Sequence, residues 1–342
     1  MSRPFRMAIV GAGRIASDYA AALDGIEDAV LAAVVDVNPD AAAALAGPAG
    51  AATFGGVQEM LAAGGCDGAL VSAPPALHPA LVAELLEADV PVLCEKPLCI
   101  TSAEAQELCD LARDRDVVFT MATKFRFVDD VAEAKRLILD GRIGEVLLFE
   151  NAFTGRVDMT GRWNADRAVS GGGVLIDNGT HSVDLIRHFL GPIDSVQAIE
   201  GKRMQDVDVE DSVTVFCRSR SGAMCTVDLS WSLNKELSTY LSIYGSEGAL
   251  RLGWKGGRVK GVGDEDWVGF GTGYSKVAAF RNQVRDFIGA ARGEHQAEVS
   301  MRDALASVRV IEAAYRSIAS NRWQPVRTDG PAPEASPGVA AA

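Results

Sequence analysis

The chain has 342 residues, 48% hydrophobic and 23% charged, and its 33 basic against 46 acidic side chains leave a formal net charge of −13. Such a composition belongs to a globular chain too long for one core, so two domains of roughly 100–200 residues are expected. An acidic chain without a basic block argues against nucleic acid, whose phosphates demand a cationic footprint. No run approaches the ~18 unbroken apolar residues of a membrane span.

The opening MSRPFRMAIVGAGRIA has two arginines before an apolar run, but Gly11 and Gly13 break that run, so it reads as a strand entering a turn and not as a secretory signal. The strand Phe5–Val10 leads directly into the turn, and Arg14 and Ile15 open a helical pattern through Tyr19, Ala22 and Leu23. Strand, glycine turn and helix in that order form a dinucleotide site: Gly11 permits the tight turn and Gly13 removes a side chain that would block a pyrophosphate. A second apolar run, Val30–Val35, ends in Asp36, 23 residues after Gly13, near the ~20-residue spacing of an acid that binds ribose hydroxyls. No arginine adjoins Asp36, so NAD is expected over NADP. The competing reading makes Asp36 a cap for the helix begun by Pro39.

Further strands alternate with helical patterns: Gly68–Ser72, Val92–Cys94 and Val117–Ala122 are strands, and Leu81–Leu86 and Ala103–Ala112 have helical spacing. The alternation predicts a Rossmann-type α/β domain with a doubly wound parallel sheet over residues 1–123. Ligands of such sheets lie beyond the carboxyl ends of the strands, where SAPPALH (Ser72, Pro74 and His78) and CEKP (Glu95, Lys96 and Pro97) are found. These join Gly11, Gly13, Arg14, Ile15 and Asp36 as cofactor-binding candidates. A lysine at the mouth of an apolar strand can hydrogen-bond a reacting oxygen, or it can be an exposed loop residue. Pro97 admits a cis bond to Lys96, which the sequence leaves open.

From about Lys124 the pattern changes. KFRFVDDVAEAKRLILDGRIG reads as one helix ending at Gly141, and after it come runs of period two: Val213–Cys217, Met224–Trp231 and Tyr240–Tyr244. An α+β domain with an open, mainly antiparallel sheet is expected over residues 124–328, its outer face carrying Thr226, Asp228, Ser230, Tyr240, Ser242 and Tyr244. The Gly-rich segment 253–273 reads as a lid or as a long hairpin. The tail, 329–342, has no apolar period and is assigned to disorder.

Between these regions lies GGGVLIDNGTHSVDLIRHFLG, residues 171–191. On a helix, Asp177, His181, Asp184 and His188 would share one stripe, which suits a proton-transfer site, a solvated face or a metal site. Metal is disfavoured because His181 and His188 stand two turns apart. Asp184 is instead expected to orient a ring nitrogen of His181. Arg126, Arg162, Trp163 and Asn178 are substrate-contact candidates, with a salt bridge the alternative for Arg126 and core packing the alternative for Trp163. Six cysteines (Cys66, Cys94, Cys99, Cys109, Cys217 and Cys225) lack any CxxC pair and read as reduced thiols in a cytoplasmic protein.

With GAGRIA, Asp36, SAPPALH, CEKP and the GGG…D…H stretch in that order, the chain resembles the glucose–fructose oxidoreductase, inositol dehydrogenase and MocA family over about residues 5–325. The resemblance implies an NAD(P)-dependent oxidoreductase acting on a sugar, polyol or keto-sugar, with Lys96, Asp177 and His181 as its catalytic residues and also substrate contacts. It also implies homodimers or homotetramers formed through the second sheet. Members often carry asparagine where this chain has Pro75. Two alternatives remain open: an NAD-dependent glycosidase that oxidises its sugar transiently, and a non-enzymatic nucleotide-binding sensor.

Overall fold

A computed structural model describes residues 3–326. The first half alternates strictly. Strands β1 (Phe5–Val10), β2 (Ala29–Val35), β3 (Ala52–Phe54), β4 (Gly68–Val71), β5 (Val92–Glu95) and β6 (Phe119–Ala122) are separated by helices α1 (Arg14–Leu23), α2 (Pro39–Ala46), α3 (Val57–Ala62), α4 (His78–Glu87) and α5 (Ser102–Arg115). The strands form one parallel sheet in the order β3-β2-β1-β4-β5-β6. Their near-continuous apolar runs follow from helices covering both faces. The reversal of strand order between β1 and β4 opens a crevice at their carboxyl ends.

The expected single helix after Lys124 is two elements. A 3-10 turn at Lys124–Phe127 is followed by α6 (Asp129–Leu139), because Val128 adopts extended backbone between them. The second half continues with β7 (Val146–Thr154), the short α7 (Arg167–Ser170) and the central α8 (Val174–Leu190). Strands β8 (Ile193–Glu200), β9 (Ser212–Ser219), β10 (Met224–Ser230), β11 (Thr239–Gly245), β12 (Gly248–Gly253), β13 (Gly256–Gly261) and β14 (Val268–Phe270) follow. The segment 253–273 is therefore mostly hairpin. With α9 (Lys276–Ala291), α10 (Met301–Ser320) and β15 (Gln324–Pro325) the described chain ends. The nine-stranded sheet has the order β14-β13-β12-β11-β7-β10-β9-β8-β15 and is antiparallel except where β10 pairs with β7.

Cys225, Val227 and Leu229 of β10 face the core under α8, as the alternation demands. Three residues assigned to the outer face, Ser230, Tyr240 and Ser242, are buried instead. A register shift between Thr239 and Leu241 accompanies Tyr240 in the core, where it is 2% exposed, and Ser230 is buried against the Ser212 hydroxyl at 2.7 Å.

The last two helices return to the first sheet. Phe280, Val284 and Phe287 of α9 share a core with Tyr19 and Leu70, while α10 gives Leu305 and Val308 to the first half and Val310 and Ile311 to the second. All six cysteines are free thiols. No helix among the described residues is long and apolar enough to cross a membrane. The tail 329–342 lies outside the described residues.

Candidate active site

The chain leaves β1 through Gly11, whose φ of +97° favours glycine and where a Cβ would come within 2.7 Å of the Ala73 backbone nitrogen. A Cβ at Gly13 would instead meet nothing within 4 Å, so open space lies over the first turn of α1, whose N–H groups have no side-chain cap. Those groups and the positive end of the helix suit a pyrophosphate. Asp36 sits beside the turn, accepting from Ala12 N at 2.6 Å and Asn38 N at 2.8 Å. Capping of α2 falls to Asn38, which accepts from Asp40 N and Ala41 N, so Asp36 is not the cap. An open glycine turn with a fixed carboxylate alongside fits NAD.

A cavity of ≈ 550 Å³ opens beyond the carboxyl ends of β1, β4, β5 and β6. The first half lines it with Gly13, Arg14, Ile15, Ser72, Glu95 and Lys96, and the second half closes it with Arg162, Trp163, Asp177, Asn178 and His181. Ser72 ties the two loops at its edge by donating to Gly11 O at 2.8 Å.

The wall from α8 depends on the glycines before it. A Cβ at Gly173 would fall 2.0 Å from Glu210 O, so only glycine lets the helix start this close to the sheet. The helix carries Asp177 beside Lys96, whose ammonium hydrogen-bonds the Asp177 carboxylate and donates to its carbonyl oxygen at 3.1 Å. Burial pulls the Lys96 ammonium down, but the charges of Asp177 and Glu95 more than offset it and hold it above the ordinary lysine value. One turn on, His181 is 7% exposed, packed edge-on against Phe125 at 5.1 Å and Phe153 at 6.4 Å. Burial, with the charges of Lys96 and Lys124, pushes its pKa well below the usual value, so the ring is neutral. The α8 stripe is thus buried, not a solvated face.

Residues 5–123 match the oxidoreductase family with an NAD-binding Rossmann fold, and residues 131–251 match the GFO/IDH/MocA C-terminal domain. The chain is 30% identical over 327 residues to the myo-inositol dehydrogenase Hyg17 of Streptomyces leeuwenhoekii, covering 92% of this chain and 97% of that protein. It belongs to the GFO/IDH/MocA family. A second relative, the rhizopine catabolism protein MocA of Rhizobium meliloti, is 30% identical over 91% of this chain and 94% of its own. Among solved structures, GenD2 from gentamicin A biosynthesis in complex with NAD superposes with a TM-score of 0.85 at 27% identity, covering 96% of this chain and 98% of its own. Levoglucosan dehydrogenase in complex with NADH shares the fold, with a TM-score of 0.90 at 21% identity over 95% of this chain and 100% of its own. The protein is accordingly an NAD-dependent oxidoreductase.

Several expected site residues of this GFO/IDH/MocA oxidoreductase lie elsewhere. Arg126 is not at the cavity; it is 7% exposed and pairs with Asp184 through Nε at 2.9 Å and Nη2 at 2.7 Å. Asp184 is therefore engaged by Arg126 and does not orient His181, whose Nδ1 has no hydrogen-bond partner among the described residues. His78 is fully buried, its ring nitrogens 2.8 Å from Ala73 O and 3.0 Å from Pro97 O, so it braces the two strand-end loops and cannot touch a cofactor. Pro74 and the buried Pro75 shape the 3-10 turn that leads into α4. The Lys96–Pro97 bond is cis.

Sequence reasoning missed an aromatic wall and one lysine. Phe125, Phe153, Trp254 and Tyr274 line the cavity in a mutually packed set; Phe125 stacks on Tyr274 at 5.4 Å and Trp254 meets Phe153 at 6.4 Å. Lys124 follows β6 directly, so the rule that ligands meet strand carboxyl ends would have found it. Burial and the charge of Lys96 push its ammonium down to about 8.

Proposed function

We propose that the protein oxidises a secondary hydroxyl of a sugar or polyol, with Lys96, Asp177 and His181 as its catalytic residues. The observation that carries this reading is the placement of a neutral buried imidazole and a charged ammonium on facing walls of one cavity, next to an open pyrophosphate turn. NAD, when bound, accepts the hydride. Neutral His181 takes the hydroxyl proton, and Lys96 donates to the oxygen as negative charge develops on it. The Lys96 charge that, with burial, keeps His181 unprotonated also acidifies the hydroxyl it contacts. Asp177 fixes Lys96 with one carboxylate oxygen and offers the other to a neighbouring substrate hydroxyl. The aromatic wall matches the apolar face of a sugar ring, with Arg162, Trp163 and Asn178 at the rim as substrate contacts. Substrates named for relatives, inositol and levoglucosan among them, are of this class.

Residues 1–123 would then carry the cofactor, and residues 124–328 the substrate and the oligomer contact. Ile199, Phe216 and Met224, respectively 50%, 37% and 61% exposed, put an apolar row on the outer face of the second sheet, which supports pairing of two copies there as a homodimer or homotetramer. Six free thiols suit a reducing cytoplasm. The test is NADH formation at mildly alkaline pH across inositols, aldoses and their acids. Turnover of one class supports the reading, and normal NAD binding with no NADH from any compound would contradict it.

A further inference from the structure

Lys124 stands out among the charged groups of the cavity. The lining contains Arg14, Lys96, Lys124, Arg162 and Lys276 against the carboxylates of Glu95 and Asp177, on a chain whose net charge is −13. Most of these charges are already matched. Lys96 holds Asp177, and Lys276 reaches Asp18 at 2.5 Å. Glu95 is occupied by the Tyr19 hydroxyl at 2.6 Å and by Lys96 N at 3.0 Å. Arg14 sits at the helix N-terminus, where a pyrophosphate would bind.

Lys124 has no carboxylate within ion-pair distance and no hydrogen-bond acceptor among the described residues. Its ammonium lies only over two rings, 5.6 Å from the centroid of Phe125 and 5.7 Å from that of Phe280. A largely buried ammonium without an anion is costly, and a cavity that keeps one is built to receive the anion from a ligand. The cofactor's pyrophosphate is not that anion by position: strand order puts the start of Lys124, after β6, three strand spacings or ~14 Å from the turn after β1. Phe125, which Lys124 overlies, is also the ring against which His181 packs. The vacant positive charge therefore lies close to the reacting centre.

We infer that Lys124 binds an acidic group of the substrate, so that the preferred substrate is a sugar or polyol bearing a carboxylate or a phosphate ester near the oxidised hydroxyl. The inference rests on the dehydrogenase reading above and names the substrate class of the same site. A charge-assisted hydrogen bond from Lys124 to that group fixes which carbon faces His181, with Arg162 as another cation of the same lining. Facing Lys124 are Lys96 and Glu95 from the β5 end, Asp177 and His181 from α8, and Lys276 from α9. Its ammonium, pushed down to about 8 by burial and by Lys96, is charged at neutral pH and loses its proton in the mildly alkaline range.

The experiment compares kcat/KM for a hexuronate, a hexose phosphate and the matched neutral hexose, in the wild-type protein and in Lys124→Met and Lys124→Arg, together with calorimetric binding of each compound. The wild type should prefer one acidic compound. Lys124→Met should reduce the acid-to-neutral ratio and the acid's affinity on the order of 10–100-fold, with partial recovery in Lys124→Arg. The wild-type KM for the acid should rise above about pH 8 while that for the neutral hexose stays flat, a readout that does not depend on any variant folding. The hexuronate and hexose phosphate arms identify the anion. A neutral hexose preferred by the wild type, or an acid-to-neutral ratio unchanged in Lys124→Met, would overturn the inference and leave the dehydrogenase reading standing. Normal NAD binding with no NADH from these three or from the inositols and aldoses of the wider panel would overturn both.

Discussion

Asp177 and Asp184 stand two turns apart on the same helix, and each meets a cation from outside that helix. The two pairs differ in what surrounds them. In the Lys96–Asp177 pair the side chains are 15% and 25% exposed and line the cavity, so one carboxylate oxygen and one ammonium proton remain for a ligand. In the Arg126–Asp184 pair they are 5% and 1% exposed, and Asp303 and Glu298 O close in on the guanidinium at 3.5 and 3.4 Å. Burial pushes the Asp184 carboxyl up, and Arg126 opposes that shift. A pair with unused capacity beside a cavity can do chemistry; a saturated, sealed pair can only fasten helices.

This contrast fails or sharpens under substitution. Lys96→Met and His181→Ala should each lower kcat/KM by on the order of a hundredfold or more while the denaturant midpoint stays near wild type. Asp184→Asn should do the reverse. Leaving Arg126 buried against a neutral partner should cost about 3 kcal/mol in urea unfolding, while the folded fraction keeps its turnover. A smaller effect belongs to the cofactor end: Asp36→Ala should weaken NAD binding about tenfold by calorimetry, through loss of a charged hydrogen-bond acceptor, without altering the fold.

A further effect concerns pH. Burial keeps His78 and His181 below their ordinary pKa, and burial with the charges of Arg126 and Lys135 pushes His188 down to about 3. An unfolded chain takes up protons near 6.5 that the folded one refuses. Stability is thus fully present above about pH 6.5 and falls as pH drops, for His188 by about 1.4 kcal/mol per pH unit down to about 3, with His78 and His181 adding in the same direction. Urea midpoints at pH 7 and pH 5.5 should show the loss, and His188→Gln should reduce it.

What could be read from the chain follows its periodicities. The alternation of strands and helices, the turn Gly11–Gly13 and the spacing to Asp36 are local, and they identify the parallel sheet and the nucleotide site. The 3.6-residue repeat likewise places Asp177 and His181 on one face of α8. Partners far apart in sequence are invisible to such patterns. Arg126 reads equally as a substrate contact or a salt bridge because nothing local reveals Asp184, 58 residues away, and His78 reads as a cofactor contact because its carbonyl partners lie in the turn before it and on another loop. Tyr240 misleads because a register shift cannot be seen in alternation alone. Lys124 is passed over because KFRF reads as the start of a helix and not as the end of β6, until Val128 is seen to break it.

In this enzyme His181 would move the proton while the sealed pair on the same helix does not. Single-turnover NADH formation in His181→Ala with added imidazole, beside Asp184→Asn at equal folded fraction, separates the two roles. His181→Ala should react slowly and recover with imidazole concentration, and Asp184→Asn should react at the wild-type rate, unaltered by imidazole. A wild-type rate in His181→Ala, or loss of chemistry in fully folded Asp184→Asn, would contradict that division of roles.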